Sequence, residues 1–488
     1  MLSIPPPSLS LTLLLLLLPH IAQGATNPFT QYAVDFPDPA YVAAADFPRN
    51  LAGAEDTIVA WADEMTSYGP WSVTFKPVLA PSGDKHDYMS WAPYEWPNCK
   101  AVGNKTELTP EQVWKTCPYV FRDGEVNPDR TTINDFQSFF NLSDAILYNS
   151  IAAVLQNSSS SVYSQNVASF IETWFLNNDT FMNPNLNFAQ MNRGPNGQVG
   201  EFTGILDLRG FAKIASGILI LRKTNNSDWT ADLDAQFVSW CEKYIDWLQT
   251  APTAKQAAAS TNNHGTIFVS QLAALKLLVQ DVPTAVNLTK GYFNGIFKNQ
   301  INANGDQPAE ASRSRPYHYR NFNAAGMITN AHLLAYADPT AKPSGWNFTT
   351  HSGAKIQAAI DFLMTVNPAA TQETNVTTEI YPNVAAVASV YGDPSGKYGA
   401  FLNKSGFAYA DDATFLWDQP LAGGDVEAAG EANHTATASL TPSASGGSNG
   451  PPAVAPGPAS GGRVSVTGMR WIDLVCVFAV MFGLGHLS

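Results

Sequence analysis

Apolar residues return at every third or fourth position over most of the middle of this chain. The stretches "DAILYNSIAAVLQ", "SVYSQNVASFIETWFL", "LDLRGFAKIASGILILRK", "FNAAGMITNAHLLAYA", "GAKIQAAIDFLMTV" and "VAAVASVYG" all carry that spacing, which gathers the apolar side chains on one face of an α-helix. Another such helix is predicted from Ile267 onward, where Phe268, Leu272, Leu275 and Val279 share a face. Runs that alternate apolar and polar residues, the mark of a half-buried strand, are scarce. The pattern predicts an all-α fold, an incomplete (α/α) toroid or barrel of stacked helix hairpins, with scaffold helices between residues 144 and 392. Loops at one end of the hairpins would wall a cleft, and a loop-rich N-terminal segment precedes them.

Both ends of the chain break from this pattern. Residues 9–18, "LSLTLLLLLL", are apolar but too few to span a bilayer, and Ala22-Gln23-Gly24 follow as small residues suited to cleavage, so residues 1–24 read as a signal peptide. Residues 25–430 contain no low-complexity linker and read as one large domain. Residues 431–460 are a Ser/Pro/Gly-rich stalk that cannot bury a core. Residues 461–488 end in "WIDLVCVFAVMFGLGHLS", an apolar tail interrupted by Asp473 and His486. The order of small residues, spacer and apolar tail predicts a glycosylphosphatidylinositol attachment propeptide with Ser460 as the attachment residue. Sequons at Asn104, Asn141, Asn157, Asn178, Asn225, Asn287, Asn347, Asn375, Asn403 and Asn433 fit the same extracellular, membrane-tethered address.

Cysteine usage agrees with an oxidising compartment. Cys476 lies in the removable tail and Cys241 inside the helical pattern "ADLDAQFVSWCEKYIDWLQ", which leaves Cys99 and Cys117 as the expected disulfide and Cys241 as a buried thiol. Without a CxxC or Cys/His cluster, no metal site is expected. A formal net charge of −14 argues against nucleic acid as a partner.

Positive charge is nevertheless concentrated in two segments. "SGDKHDYMSWAPYEWPNC" sets Lys85 and His86 beside Tyr88, Trp91, Tyr94 and Trp96, cations for carboxylates and flat rings for sugar faces. Its bland alternative is an aromatic loop packed on the domain and pinned by Cys99. "QPAEASRSRPYHYRNF" places Glu310, Arg313, Arg315, His318, Tyr319 and Arg320 just before an apolar helix. Arginine pairs bidentately with a carboxylate, and a tyrosine whose pKa is lowered by cations can exchange a proton. A third stretch, "TNNHG", opens the helix at Ile267. Helix capping needs only one of Thr261, Asn262 and Asn263.

"GDKHDYMSWAPYEWP", "MNPNLNFAQ", "NNHG" and "EASRSRPYHYRNFN", in this order over residues about 80 to 325, resemble the alginate lyase superfamily of polysaccharide lyases. The resemblance implies a helical toroid, an acidic polysaccharide as substrate, β-elimination without a cofactor, and a cleft where the Asn-His and the Arg…His-Tyr segments meet. Arg313 and Tyr319 stand six positions apart, whereas some members of the superfamily use seven; glucuronan is therefore an option beside polymannuronate and polyguluronate.

The chemistry accounts for these residue types. The C5 proton of a uronate is poorly acidic until the neighbouring carboxylate is neutralised, a task for Asn263 and Arg313 by the logic of an oxyanion hole. His264 and Tyr319 are the candidate base and acid. His264 stands in the first turn of a helix, where the dipole disfavours its charged form; its structural alternative is packing under Phe268. When the proton and O4 leave on one face, Tyr319 can serve as both; when they leave on opposite faces, His264 takes the proton and Tyr319 gives one. Substrate-binding roles are expected for Lys85, His86, Tyr88, Tyr94, Trp96, Asn185, Gln190, Asn262 and His318, with Asn183 a further amide and Glu310 holding Arg313 by a salt bridge. For the amides of "MNPNLNFAQ" an equally plain alternative is a loop that satisfies its own backbone. The protein is expected to act as a monomer. A glycoside hydrolase would instead need a carboxylate pair, for which Asp87, Glu201, Asp207 and Glu310 are available. A non-catalytic wall protein would keep the aromatics without needing Arg313, His264 and Tyr319 together.

Overall fold

The computed structural model describes residues 36–47, 51–102, 108–156, 160–405 and 411–418. The expected signal peptide, stalk and attachment tail lie outside these residues, as do Asn104, Asn157, Asn433, Ser460 and Cys476. Two helices lead in, α1 (Pro39–Ala44) and α2 (Ala52–Tyr68). A loop-rich segment follows with β1 (Met89–Trp91), β2 (Glu95–Pro97), α3 (Pro110–Thr116) and β3 (Tyr119–Phe121). The scaffold then runs through α4 (Asp135–Leu155), α5 (Ser160–Ile171), β4 (Phe188–Met191), α6 (Phe211–Lys223) and α7 (Ala231–Thr250). It continues with α8 (Pro252–Ala258), α9 (Asn263–Leu278), α10 (Val282–Asn294), α11 (Pro308–Ala311) and α12 (Pro316–Ala337). The last helices are α13 (Ile356–Leu363), α14 (Tyr381–Tyr391) and α15 (Lys397–Ser405).

Two classes of helix build the expected incomplete (α/α) toroid. In the inner class, α4 packs on α6, α6 on α9, α9 on α12 and α12 on α14. Their burial runs round nearly the whole circumference: every residue of α9 except Lys276 is buried, and every residue of α6 except Arg222 and Lys223. The outer class is amphipathic. Helix α7 buries one stripe, Leu233, Phe237, Trp240, Cys241, Tyr244, Ile245 and Leu248, and turns the rest outward. Each such buried large side chain contributes about 2 kcal/mol of transfer free energy.

Close approach of neighbouring atoms explains two glycines. A Cβ on Gly326 of α12 would stand 2.9 Å from Thr266 Cγ2 on α9. A Cβ on Gly265 would run into the Ser260 carbonyl, so the glycine of "NNHG" is required by the tight entry into α9.

The strands are few and short. β1 pairs in parallel with β4, Met89 opposite Phe188 and Trp91 opposite Met191. Asp135 at the start of α4 accepts the Met89 N–H at 2.9 Å and faces Lys76 Nζ at 3.3 Å, fastening β1 to the scaffold. β2 and β3 form an antiparallel ladder with Glu95 opposite Phe121 and Pro97 opposite Tyr119. The expected disulfide, Cys99 to Cys117, closes this pair, with Cα atoms 4.8 Å apart. Cys241 is a buried free thiol, as expected. Among the described residues no helix is long and apolar enough to cross a membrane.

Candidate active site

Two inner helices, α9 and α12, deliver Asn263, His264 and Tyr319 from their first turns, and Arg313 stands in the link between α11 and α12. Asn262 is the helix-starting asparagine of α9. Its backbone is extended and its Oδ1 accepts from His264 N at 3.2 Å. The same oxygen lies 3.0 Å from His264 Nδ1; an amide oxygen only accepts, so Nδ1 carries the proton and Nε2 the lone pair. Asn263 is held differently. Its backbone N–H and its Nδ2 both donate to Glu310, at 2.8 Å each, while its Oδ1 is buried with no hydrogen-bond partner among the described residues.

At the start of α12, Pro316 has no N–H to satisfy, and the next two, of Tyr317 and His318, donate to the two oxygens of Glu373 at 3.0 Å each. The His318 Nδ1 lies 2.8 and 2.9 Å from the oxygens of buried Glu379, so its ring is fixed from behind. His318 also meets the Tyr319 ring edge-on at 5.0 Å.

Tyr319 is the meeting point. Its hydroxyl shares a 2.6 Å hydrogen bond with Tyr94, which follows β1 in the N-terminal segment. The Arg313 guanidinium stacks over the Tyr319 ring at 3.8 Å. Asp123, just past β3, grips that guanidinium with both oxygens, Nη2 to Oδ1 at 2.6 Å and Nε to Oδ2 at 3.3 Å, and also accepts from Ser314 N at 3.0 Å. Burial pushes the Asp123 carboxyl up, but these hydrogen bonds outweigh it and hold it at about 2. The loop-rich segment therefore reaches the helix ends at two points, Tyr94 and Asp123, on either side of the β2–β3 ladder.

The protonation states follow from burial and from the one shared cation. Burial pushes the His264 imidazole down to about 4, and the charge of Arg313 acts in the same direction; the positive end of α9 adds to it. His264 is thus neutral at neutral pH. Burial raises the Tyr319 phenol well above its ordinary value, reinforced by Tyr94 and only partly opposed by Arg313. This corrects the expectation that cations lower it: the cation is in place, but desolvation is the larger effect, and Tyr319 rests as a proton donor. Burial lifts Glu310 to about 7, against the bonds from Asn263 and the charge of Arg313.

Other sequence-expected residues are placed as follows. Glu310 does not hold Arg313; its oxygens are taken by Asn263, and Asp123 is the arginine's partner. Tyr88 is fully buried and, with Ser90 and Gln190, donates to buried Asp207, the Gln190 bond being 2.8 Å. Tyr88 and Gln190 therefore brace β1 and β4 rather than facing a sugar, because an interior carboxylate needs donors around it. Lys85 and His86 lie at the opposite end of β1 from Tyr94, fastened to the Asp179 and Phe181 carbonyls at 3.1 and 2.6 Å. Asn185 accepts from Asn187 N at 3.1 Å and Asn183 donates to Asp84 and Asp87, so this amide loop satisfies its own surroundings. Trp96 lies on β2 with its Nε1 donating to the Glu125 carbonyl and Arg122 5.1 Å above its ring.

Sequence reasoning missed Asp123, Glu373, Glu379 and Phe202, whose ring packs 5.2 Å from that of His264. Only Glu310, three residues before Arg313, had a spacing that drew attention. Of the carboxylates a hydrolase would need, Asp87 is held by Ser82 and Asn183, Glu201 by Asn192, Asp207 by its three donors and Glu310 by Asn263. Among the described residues, no group of three or more His, Cys, Asp and Glu side chains is placed to hold a metal ion.

Comparison with known proteins bears on the family and the fold. The family model described as alginate lyase matches residues 72–374. Among solved structures, an alginate lyase from Bacteroides ovatus is similar with a TM-score of 0.66 and 26% sequence identity, covering 78% of this chain and 97% of that one. No curated protein matches the chain.

Proposed function

We propose, since the chain belongs to the alginate lyase family, that it cleaves a 1,4-linked polyuronate by β-elimination, with His264 as the base and Tyr319 as the acid. Family membership makes it a polysaccharide lyase acting on an acidic polysaccharide. The observation that carries the finer reading is the neutral, lone-pair-bearing His264 and the protonated Tyr319 on two adjoining helices, both within the field of Arg313.

In this reading Arg313, through Nη1, and Asn263, through the second hydrogen of Nδ2, bind the uronate carboxylate at the cleaved position. Drawing charge from the carboxylate makes the C5–H acidic enough to break. His264 Nε2 takes the C5 proton, the electron pair becomes the C4=C5 double bond, the C4–O4 bond breaks, and the Tyr319 hydroxyl gives its proton to O4. Tyr94, at 2.6 Å and half-buried, is placed to return a proton to Tyr319. Separate base and acid suit a sugar whose proton and O4 leave on opposite faces, guluronate, before glucuronate and mannuronate, whose shared C4 and C5 configuration puts both on one face. The extracellular, glycosylated and lipid-tethered address belongs to the same proposal and rests on the terminal sequences and sequons.

The test is the ultraviolet absorbance of the unsaturated product while the tailless protein acts on glucuronan, polyguluronate and polymannuronate in parallel. A rise on polyguluronate is expected. A rise confined to polymannuronate or glucuronan would overturn the two-residue division and leave Tyr319 as base and acid; no rise on any polymer, from folded protein, would sink the proposal.

The pH profile carries a second expectation. Glu310 is ionised above about 7 and protonates as pH falls through that value, whereas His264 stays neutral down to about 4. A protonated Glu310 can no longer accept from both the backbone and the side chain of Asn263. The acid limb of kcat/KM should therefore lie near neutrality and belong to Glu310. Glutamine, like the protonated acid, offers Asn263 only one acceptor oxygen, so Glu310→Gln should show the low activity of the protonated state with that limb flattened; an unchanged limb would assign it elsewhere.

A further inference from the structure

Behind the site, one turn into the protein from His264 and Tyr319, runs a continuous chain of neutral, buried side chains. Tyr292 Oη donates to Gln300 Oε1 at 2.7 Å, Gln300 Nε2 to Thr266 Oγ1 at 2.8 Å, and Thr266 Oγ1 to Asn323 Oδ1 at 2.8 Å. Asn323 Nδ2 then donates to Gln307 Oε1, and Gln307 Nε2 to the Arg320 carbonyl, both at 2.9 Å. All of these side chains are nearly inaccessible to solvent. Every donor points the same way along the chain, so its bonds reinforce one another and no amide can flip without leaving two neighbours unsatisfied.

Its placement relates to the chemistry. Thr266 follows Asn263 by three residues and Asn323 follows Tyr319 by four, so each lies directly beneath a reacting residue on the same helical face. Asn330 Nδ2 adds a bond to the Thr266 carbonyl at 3.0 Å, and Gln300 Nε2 one to the Thr261 carbonyl at 3.2 Å, just ahead of Asn262. Gln307 is the residue from which α11 starts, and α11 carries Glu310. The chain thus ties α9, α11 and α12 together.

We infer that Thr266, Asn323 and Gln307 are positioning residues for the elimination, holding the Asn263–His264 turn at a set distance from Tyr319 through this hydrogen-bonded chain. The inference rests on the reading of the site given above. An apolar contact of equal volume would hold the two helices together equally well but would leave their relative rise and rotation loosely determined. Directional bonds fix both.

The decisive variant is Thr266→Val, which keeps the shape and removes the hydroxyl that joins Gln300 to Asn323. It should lower kcat about 100-fold with KM nearly unchanged, the cost of a misplacement of about 1 Å in the reacting groups, and Thr266→Ser should recover most of the loss. The control is Asn149→Leu, which removes a buried amide joining α2, α4 and α5 away from the site; it should lower Tm comparably and leave kcat intact. Equal kcat losses in the two variants, or none in Thr266→Val, would overturn the inference. Should Thr266→Val not fold, Gln307→Met, which cuts the last links and leaves Thr266 in place, carries the same expectation. Titration of the His264 ring by NMR needs no substrate: in Thr266→Val its pKa should rise from about 4, and an unmoved value would count against positioning. Wild-type protein silent on every polyuronate would sink the lyase reading instead, leaving the NMR arm to decide this one.

Discussion

Tyr319→Phe is expected to lower kcat about a thousandfold while changing KM and Tm little, the magnitude of losing a positioned acid. The substitution removes a single oxygen from a side chain that is 5% exposed and otherwise packed beneath Arg313 and against His318. Folding loses one hydrogen bond, to Tyr94, worth about 1 kcal/mol. The elimination loses the proton that O4 must receive as the C4–O4 bond breaks. Tyr94→Phe provides the comparison: it leaves the donor in place and cuts only its outer partner, so its effect should be clearly smaller. The measurement is the rate of unsaturated product formation with both variants at saturating polymer. A Tyr319→Phe enzyme within tenfold of wild type would remove Tyr319 from the proton transfer; Tyr94→Phe as damaged as Tyr319→Phe would move the acid to Tyr94.

Arg313→Ala is expected to cost about 100- to 1000-fold in kcat, the range for removing a donor aimed at developing negative charge. The guanidinium has three neighbours that report on its loss. Asp123, freed of its bidentate partner, should rise from about 2 toward the ordinary carboxylate range. His264 should become easier to protonate, because the cation that opposes its charged form is gone. Tyr319 loses the one group that favours its ionisation and should titrate higher still. Arg313→Lys should not restore activity, since an ammonium offers no planar fork to engage Asp123 with both oxygens while lying flat on the Tyr319 ring. Kinetics together with NMR titration of His264 check this set. Full activity in Arg313→Lys would mean that charge alone is used; an unshifted His264 in Arg313→Ala would place the arginine outside the site's field.

These expectations depend on contacts that a linear reading approached unevenly. The helical scaffold was legible because apolar spacing of three and four is a one-dimensional property; which helices lie inside was not, because α9 and α12 carry polar residues that only their neighbours bury. Asn262, Asn263, His264 and Tyr319 were legible because each pairs a residue type useful for elimination with a helix start, and Arg313 because it stands among other cations just before one. Tyr88 and Gln190 misled, since the same hydroxyl and amide that suit a sugar also suit a buried carboxylate, and nothing nearby in the sequence announces Asp207 as their partner. Asp123 lay hidden in an ordinary turn, 190 residues from Arg313.

By itself the sequence determined the all-α scaffold, the helix-start positions of the reacting residues, the Cys99–Cys117 pairing and the acidic character of the chain. All are set by periodicity, capping chemistry or residue count, which act over a few neighbours or none. Only the tertiary structure decided that Asp123 rather than Glu310 grips Arg313, that Glu310 orients Asn263, and that Tyr94 reaches Tyr319. It also decided the protonation states, for a different reason. The pKa of a histidine or a phenol is set mainly by how much water its neighbours exclude, and burial around His264 and Tyr319 comes from side chains drawn from the whole length of the fold.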